Sequence, residues 1–161
     1  MAKEIERKFL LASDGWRGTV VRKREICQGY LGGAERVSIR VRVSGNEAWL
    51  NIKCGGLEVV RDEYEYAIPI DDARALLAVA SVPLIEKVRY YVPYRGFTWE
   101  IDEFCGANAG LIVAEIELDS EGEDIPLPPW VGKEITLVPR YYNVSLARRP
   151  YSDWTDAECA T

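Results

Sequence analysis

Alternation between apolar and polar residues runs through most of the chain, and this period of two constrains the fold more than any other feature. It predicts eight strands, several of them separated by turns rich in Gly, Pro, Asn or Ser. The predicted strands span residues 3–10, 26–31, 36–43, 47–53, 57–68, 85–92, 97–104 and 111–118. One helix is predicted over 73–80, with Asp71 or Asp72 as its N-cap, and a second over 143–149. Many antiparallel strands with few helices indicate an α+β barrel or sandwich.

Charged side chains occupy one parity of most predicted strands. Side chains two residues apart share a face of a strand, so these charges form local clusters. An antiparallel sheet with one solvated face produces the same alternation, but such a face usually mixes the two signs. Here the third, fourth and sixth strands are basic on that parity, whereas the seventh and eighth are acidic. This sorting favours a closed barrel with a charged lumen and an apolar outer surface that helices and loops cover.

A lumen of like charges is costly unless water or a ligand of opposite charge fills it. The basic strands require a polyanion, and the carboxylate strands require hard cations. A metal–polyphosphate complex satisfies both. Arginine can bind phosphate oxygens through two N–H groups, whereas lysine acts as a point charge.

Composition excludes several other functions. The chain has no histidine, which removes His-based triads and His-ligated zinc. Its net charge of −6 argues against nucleic-acid binding. Four dispersed cysteines are expected to be reduced. Since no signal peptide or membrane span is evident, we expect a cytoplasmic, soluble protein without a membrane partner, as a monomer or homodimer. The 161 residues are expected to form one domain, with a tail from about residue 150 that wraps the barrel or is disordered.

The residues on the charged parity resemble the signature of the CYTH domain, or triphosphate tunnel metalloenzyme, family. Glu4-Ile5-Glu6-Arg7-Lys8 matches its ExExK motif. The further matches, in order, are Arg40 with Arg42, Lys53, Glu63 with Glu65, Lys87 with Arg89, Asp102, Glu115 with Glu117, and a closing block from Gly132 to Tyr141. The resemblance covers residue 4 to about 147. Chain length and the Gln28-Gly29-Tyr30 motif make the sequence similar to the short bacterial inorganic triphosphatases of this family.

This resemblance implies an eight-stranded antiparallel β-barrel that forms a charged tunnel, a small-molecule triphosphate as substrate, and Mg²⁺ or Mn²⁺ as cofactor. The implied substrate-binding residues are Lys8, Arg40, Arg42, Lys53, Lys87 and Arg89. The implied acidic positions, a subset of which holds metal, are Glu4, Glu6, Glu63, Glu65, Glu115 and Glu117. Lys8 and Tyr30 match a catalytic pair proposed for the short tripolyphosphatases.

Hydrolysis of inorganic tripolyphosphate to pyrophosphate and phosphate is therefore the predicted activity. Adenylate cyclase, thiamine triphosphatase and nucleoside triphosphatase are alternatives on the same scaffold, and a non-catalytic binding module is disfavoured by the carboxylates. The base could be a carboxylate, a metal hydroxide or the Tyr30–Lys8 pair. Arg61 and Glu100 share the lumen parity and belong either to the tunnel rim or to the solvated surface. Glu115 is expected to repel Glu117, so that Glu115→Gln raises thermal stability without metal.

Overall fold

The structure, a computed structural model, describes residues 2–33, 36–55 and 59–160. Within those ranges the chain forms nine strands and three short α-helices, linked by turns and 3₁₀ segments. The strands are β1 (Ala2–Leu11), β2 (Arg22–Gly32), β3 (Val37–Ser44), β4 (Glu47–Cys54), β5 (Val60–Ala67), β6 (Ile85–Tyr94), β7 (Phe97–Phe104), β8 (Ile112–Glu117) and β9 (Val131–Glu134). The helices are α1 (Ile70–Ala78), α2 (Asn143–Arg148) and α3 (Asp156–Cys159). No helix in the described ranges is both long and apolar enough to cross a membrane.

Eight of the strands close into an antiparallel barrel, which confirms the predicted fold class. The order is β5–β4–β3–β2–β6–β7–β8–β1, and β1 returns to pair with β5. The ninth strand, β9, was not predicted. Residues 2–5 of β1 pair with β5, whereas Phe9 and Leu11 pair with β9 on the same edge. The four residues of β9 therefore continue the wall where the pairing with β5 has ended, and so short a strand leaves little alternation to detect.

Several element boundaries differ from the prediction. Strand β2 begins at Arg22, four residues early, because its charged start pairs with β6 from Arg22 onwards and this pairing outweighs weak strand propensity. Helix α1 begins at Ile70 with Pro69 as its N-cap, so Asp71 and Asp72 lie in its first turn and the predicted N-cap is wrong. The predicted start of β5 at residue 57 lies outside the described residues.

Tight turns set the strand register at two hairpins. Strands β6 and β7 are joined by Arg95 and Gly96, both of which have positive φ, at 47° and 87°. This pair of left-handed residues is typical of a two-residue hairpin turn whose twist matches that of the strands. In the β3–β4 hairpin, Gly45 takes the left-handed conformation, with a φ of 60°.

The main hydrophobic core lies on the outer face of the barrel. Trp16 and Trp130, from segments outside the barrel strands, cover Phe9, Trp99 and neighbouring apolar residues of β1, β7 and β8. Trp16 and Trp99 are fully buried. On another side, Ala73 of α1 packs on Val41 and Ala48. With apolar residues directed outwards in this way, the charged parity of the strands faces the lumen.

The C-terminal segment packs against the barrel. Trp154 stacks edge-on against Tyr141 and Tyr151, with ring centroids 5.0 and 5.1 Å away. Thr155 caps α3 by accepting a hydrogen bond from the backbone N–H of Glu158. Through Trp154 this segment joins the apolar cluster that contains Ile85 and Phe104 of the barrel.

Candidate active site

The lumen contains one large cavity of about 990 Å³. All the predicted site residues line it, because they share the lumen parity of neighbouring strands. They are Glu4, Glu6, Lys8, Tyr30, Arg40, Arg42, Lys53, Glu63, Glu65, Lys87, Arg89, Glu115 and Glu117. Arg61 and Glu100 also line the cavity, so they belong to the tunnel and not to the solvated surface.

The two ends of the lumen differ in character. Near one end, the lumen parity of β6, β7 and β8 becomes apolar at Ile85, Phe104 and Val113, and these residues pack with Leu146 of α2. Trp49 and Tyr91 line the cavity towards the opposite end, which we call the mouth. At the mouth, the Arg42 guanidinium lies 5.6 Å from the Trp49 ring centroid. The charged region therefore lies between an apolar end and an aromatic, basic mouth.

A dense ion-pair network forms one side of the cavity, which we call the paired wall: Lys8, Lys87, Arg89, Asp102 and Glu115. Arg89 donates to both oxygens of Asp102, at 2.7 Å each, and to Glu115 at 2.6 Å. Lys87 donates to Asp102 at 2.5 Å. Asp102 is fully buried, and although burial alone would raise its pKa, Arg89 and Lys87 lower it below the ordinary value. The carboxylate of Asp102 thus fixes two phosphate-binding candidates at once.

The two lysines of the paired wall have opposite pKa shifts. Burial lowers the pKa of Lys87 to about 8, with Asp102 opposing the shift and Arg89 adding to it. Burial also disfavours charge on Lys8, but Glu115 and Glu6 outweigh it and raise the pKa of Lys8 well above its ordinary value. Lys8 is therefore a firm cation, whereas Lys87 titrates within the range of ordinary assays.

Glu115 is ionised within this network. Burial alone would raise its pKa, but Lys8 and Arg89 hold the pKa of Glu115 well below the ordinary value. The expected repulsion from Glu117 therefore does not dominate at this position, and the reason for expecting a stabilising Glu115→Gln is removed. At Glu117, burial and then the charges of Glu4 and Glu6 raise the pKa.

The wall formed by β2, β3 and β4 has buried polar atoms that lack partners. We call Gln28, Arg40, Arg42 and Asn51 the open wall. Both side-chain polar atoms of Gln28, the Nε of Arg40 and the Oδ1 of Asn51 are buried without a hydrogen-bond partner among the described residues. Arg40 lies 3.9 Å from Glu63, a long ion pair. Arg42 and Asn51 do have an acidic partner, since both donate to Glu65, at 2.7 and 2.5 Å. Of the open-wall residues with unpartnered atoms, Arg40 lines the cavity and is therefore the one that a polar ligand there can reach.

Two cations on this side of the cavity have a lowered pKa although a carboxylate lies close to each: Arg42 is 2.7 Å from Glu65, and Lys53 is 2.7 Å from Glu4. Burial lowers the pKa of Arg42, and Arg40 and Arg89 lower it further. Burial likewise lowers the pKa of Lys53, with Glu6 opposing and Arg40 adding. A polyanion in the cavity would relieve both effects by placing negative charge among these cations.

The carboxylates near β1, β5 and β8 supply only oxygen donors. Glu6 of β1 is the register partner of Glu117 on the adjacent strand β8. The raised pKa of Glu117, caused by burial and by Glu4, Glu6 and Glu63, shows that negative charge accumulates there. This donor set fits a hard divalent cation. In the described parts of the chain, no three carboxylate or cysteine side chains are already gathered as a metal cluster.

Tyr30 is buried and lies beside the cations. Burial raises the pKa of its hydroxyl, and Arg40 and Lys8 oppose the rise without cancelling it. Tyr30 is therefore a neutral phenol at pH 7 and can donate a hydrogen bond into the cavity.

The closing block fixes β1 from outside the lumen. The backbone N–H of Lys8 donates to Thr136 Oγ1 at 3.0 Å, and the N–H of Ile135 donates to the Lys8 carbonyl at 2.8 Å. Arg7, on the outer parity, pairs with Glu134 through two hydrogen bonds of 2.9 and 2.7 Å. These contacts hold the ExExK strand in register and so position its lumen-facing side chains.

Sequence reasoning missed three residues at the mouth. Trp49, Tyr91 and Arg24 line the cavity although none of them was predicted as a site residue. A signal was present, since Trp49 shares the parity of Lys53 and Tyr91 that of Arg89. Arg24 was not assigned because its part of β2 was not predicted as strand.

The CYTH domain family matches residues 2–151. This chain belongs to the CYTH family. The match spans the whole barrel and the closing block, and so includes every residue of the two walls.

Named relatives agree with this assignment. The CYTH chain is 40% identical to an inorganic triphosphatase of Acetivibrio thermocellus, over 97% of this chain and all of the relative. It is 37% identical to an inorganic triphosphatase of Nitrosomonas europaea, over 89% of this chain and 96% of that protein. A solved inorganic triphosphatase structure aligns with a TM-score of 0.65 at 34% identity, covering 91% of this chain and 95% of that one. A Hippeastrum protein with a dominant triphosphatase activity, at 17% identity and a TM-score of 0.58, shares the fold.

Proposed function

We propose that this protein is a divalent-metal-dependent inorganic triphosphatase, which converts tripolyphosphate into pyrophosphate and phosphate. The observation that carries the proposal is the composition of one cavity. Six cations of the predicted substrate set and six carboxylates of the predicted metal set line it together. Purely anion-binding sites need only the cations, and the relatives at 37–40% identity are inorganic triphosphatases.

The open wall and its neighbours bind the triphosphate in this proposal. Arg40 and Arg42 point into the cavity from the same strand, where each guanidinium can hold two phosphate oxygens. Lys53, Lys87 and Arg89 supply further positive charge. Little covalent chemistry falls to the protein in phosphoryl transfer, so positioning and charge provide most of the rate acceleration.

The glutamates facing the lumen would hold Mg²⁺ or Mn²⁺. Glu4, Glu6 and Glu117 are the first candidates, because burial and then the charges of Glu4 and Glu6 raise the pKa of Glu117, and Glu63, Glu65 and Glu115 are further candidate ligands. The bound ion supplies Lewis-acid polarisation of phosphoryl oxygens and a more acidic water.

Lys8 and Tyr30 are the proposed catalytic pair. Because the pKa of Lys8 is raised, this side chain stabilises charge as a cation and does not serve as a base. The neutral Tyr30 hydroxyl can donate a hydrogen bond to the phosphoryl group under attack. With no histidine in the chain, a lumen carboxylate would accept the proton of the attacking water, and a metal ion held by the glutamates would make that water more acidic.

Side-by-side phosphate release from tripolyphosphate, ATP, thiamine triphosphate and pyrophosphate tests the proposal. Each assay is run with Mg²⁺, with Mn²⁺ and with excess chelator. We expect the highest kcat/KM on tripolyphosphate, one phosphate released per molecule, and no turnover with chelator. Preference for ATP or thiamine triphosphate, or full turnover in chelator, would contradict the proposal.

A further inference from the structure

Arg61 of β5 lies against two of the glutamates assigned to the metal. Its Nη2 atom is 3.1 Å from an oxygen of Glu4 and 3.7 Å from an oxygen of Glu6. Backbone register fixes this placement, since Glu4 and Arg61 face each other across β1 and β5. Only 9% of the Arg61 side chain is exposed. The two carboxylates that we assign to the metal are thus already paired with a positively charged side chain.

The surroundings of Arg61 leave part of its hydrogen-bonding capacity unused. Its Nε is buried without a partner among the described residues. The Tyr142 ring lies behind the guanidinium, with its centroid 5.5 Å from Cζ. Arg61 also lines the cavity in which we place the triphosphate. An anion there offers acceptors to a guanidinium whose present contacts are incomplete.

The same glutamates also contact lysines of the substrate-binding set. Glu4 accepts hydrogen bonds from Lys53 at 2.7 and 2.8 Å, and Glu6 lies 2.5 Å from Lys8. Both lysines are proposed to bind phosphate. Arg61 differs because it contacts both glutamates and stands outside the predicted substrate set. Removing Arg61 therefore takes a positive charge away from both glutamates, whereas removing Lys8 or Lys53 would also remove a predicted phosphate contact.

We propose that Arg61 is a positioning residue that couples metal binding to triphosphate binding. Without a triphosphate, its guanidinium neutralises Glu4 and Glu6 and repels a second cation. When a triphosphate binds, its oxygens accept hydrogen bonds from Arg61, and the glutamates are left with negative charge that a metal ion can use. The two ligands then bind with positive coupling. The inference rests on the proposed function, because it takes Glu4 and Glu6 as metal ligands.

Mn²⁺ binding, measured by the electron paramagnetic resonance of free Mn²⁺, tests this role without turnover. The proteins are wild type, Arg61→Gln and a control, Arg74→Gln, which removes the same charge from an exposed position on α1. Without anion, we expect Arg61→Gln to bind Mn²⁺ at least about fivefold more tightly than wild type, and Arg74→Gln to match wild type. Imidotriphosphate, which resists hydrolysis, should then raise the Mn²⁺ affinity of Arg61→Gln less than that of wild type, after correction for Mn²⁺ bound by free anion.

Unchanged Mn²⁺ affinity in Arg61→Gln, or an equal gain with imidotriphosphate in both proteins, would overturn the proposal. Arg61→Met fills the same buried space without charge and repeats the test if the Gln variant does not fold. Arg61→Lys keeps the charge, so we expect its Mn²⁺ affinity to return towards wild type. Failure of wild type to hydrolyse tripolyphosphate would contradict the proposed function alone, since these binding measurements do not depend on turnover.

Discussion

The paired wall and the open wall both contribute charged side chains to the same cavity, but they differ in how their polar atoms are used. On the paired wall, Asp102 binds two cations and is fully buried. On the open wall, Gln28 and Arg40 keep buried polar atoms without partners among the described residues. The difference indicates a division of labour, in which one wall is held rigid by its own ion pairs and the other is completed by a ligand.

The largest expected effect comes from breaking the paired wall. Asp102→Asn removes the carboxylate that binds Lys87 and Arg89 and leaves two buried cations short of a partner. We expect the free energy of unfolding to fall by about 3–5 kcal/mol, measured by urea denaturation. Glu100→Gln is the matched control. It also removes a partner of Arg89, but a more exposed one, and should cost less than about 1 kcal/mol. Equal losses in the two variants would show that the wall is not held by Asp102.

Arg40→Ala tests the open wall. It should raise KM for tripolyphosphate by an amount that corresponds to about 2–5 kcal/mol, because a buried phosphate contact is lost. The free energy of unfolding should change less than in Asp102→Asn, since the contacts that the structure gives for Arg40 are a 3.9 Å ion pair with Glu63 and an interaction with the Tyr30 hydroxyl. Steady-state kinetics beside urea denaturation measures both quantities. A large loss of stability with an unchanged KM would reverse the roles of the two walls.

The titration of Lys87 predicts a pH limit on substrate binding. Its pKa of about 8 means that the free enzyme loses this positive charge as the pH rises through 8. Since kcat/KM reports ionisations of the free enzyme, it should fall up to about tenfold per pH unit above that point. Lys87→Met should have a lower kcat/KM and lack this descent. An identical alkaline descent in Lys87→Met would assign it to another group.

Folding stability should respond to Lys87 in the opposite direction. The unfolded chain keeps this lysine protonated up to its ordinary pKa of 10.5, whereas the folded protein releases the proton near 8. Between these values the unfolded state binds more protons, so the contribution of Lys87 to stability rises with pH. Urea denaturation of wild type and Lys87→Met at pH 8 and 10 separates this effect from the loss of binding.

The smallest expected effect is that of Glu117→Gln, which we compare with Glu115→Gln on the same strand, β8. Glu117→Gln should stabilise the protein without metal by well under about 1 kcal/mol, because repulsion from Glu4 and Glu6 is relieved at an exposed side chain. Glu115→Gln should destabilise it, because Lys8 and Arg89 lose a partner. Thermal melts in chelator show the sign of each change. Stabilisation by Glu115→Gln would contradict the ion-pair network.

Parity together with the sorting of charge by strand favoured a closed barrel with a charged lumen, and the family resemblance implied its eight strands. Parity could not predict which lumen side chains pair, because partners such as Arg89 and Glu115 lie on different strands and meet only through the barrel register. For the same reason the sequence did not separate Glu115 from Glu117, although both are glutamates on the same face. Trp49 was not predicted as a site residue because the argument for lumen-facing residues rested on their charge.

A crystal structure of the protein with imidotriphosphate and Mn²⁺ would show directly whether a ligand completes the open wall while the paired wall keeps its ion pairs. We expect the triphosphate in the cavity, with oxygens on Arg40 and Arg42. The Arg89–Asp102 pair should stay intact, and the anomalous scattering of Mn²⁺ should lie at the lumen glutamates. A triphosphate bound outside the cavity, or one that breaks the Arg89–Asp102 pair while leaving Arg40 without a phosphate contact, would contradict this expectation.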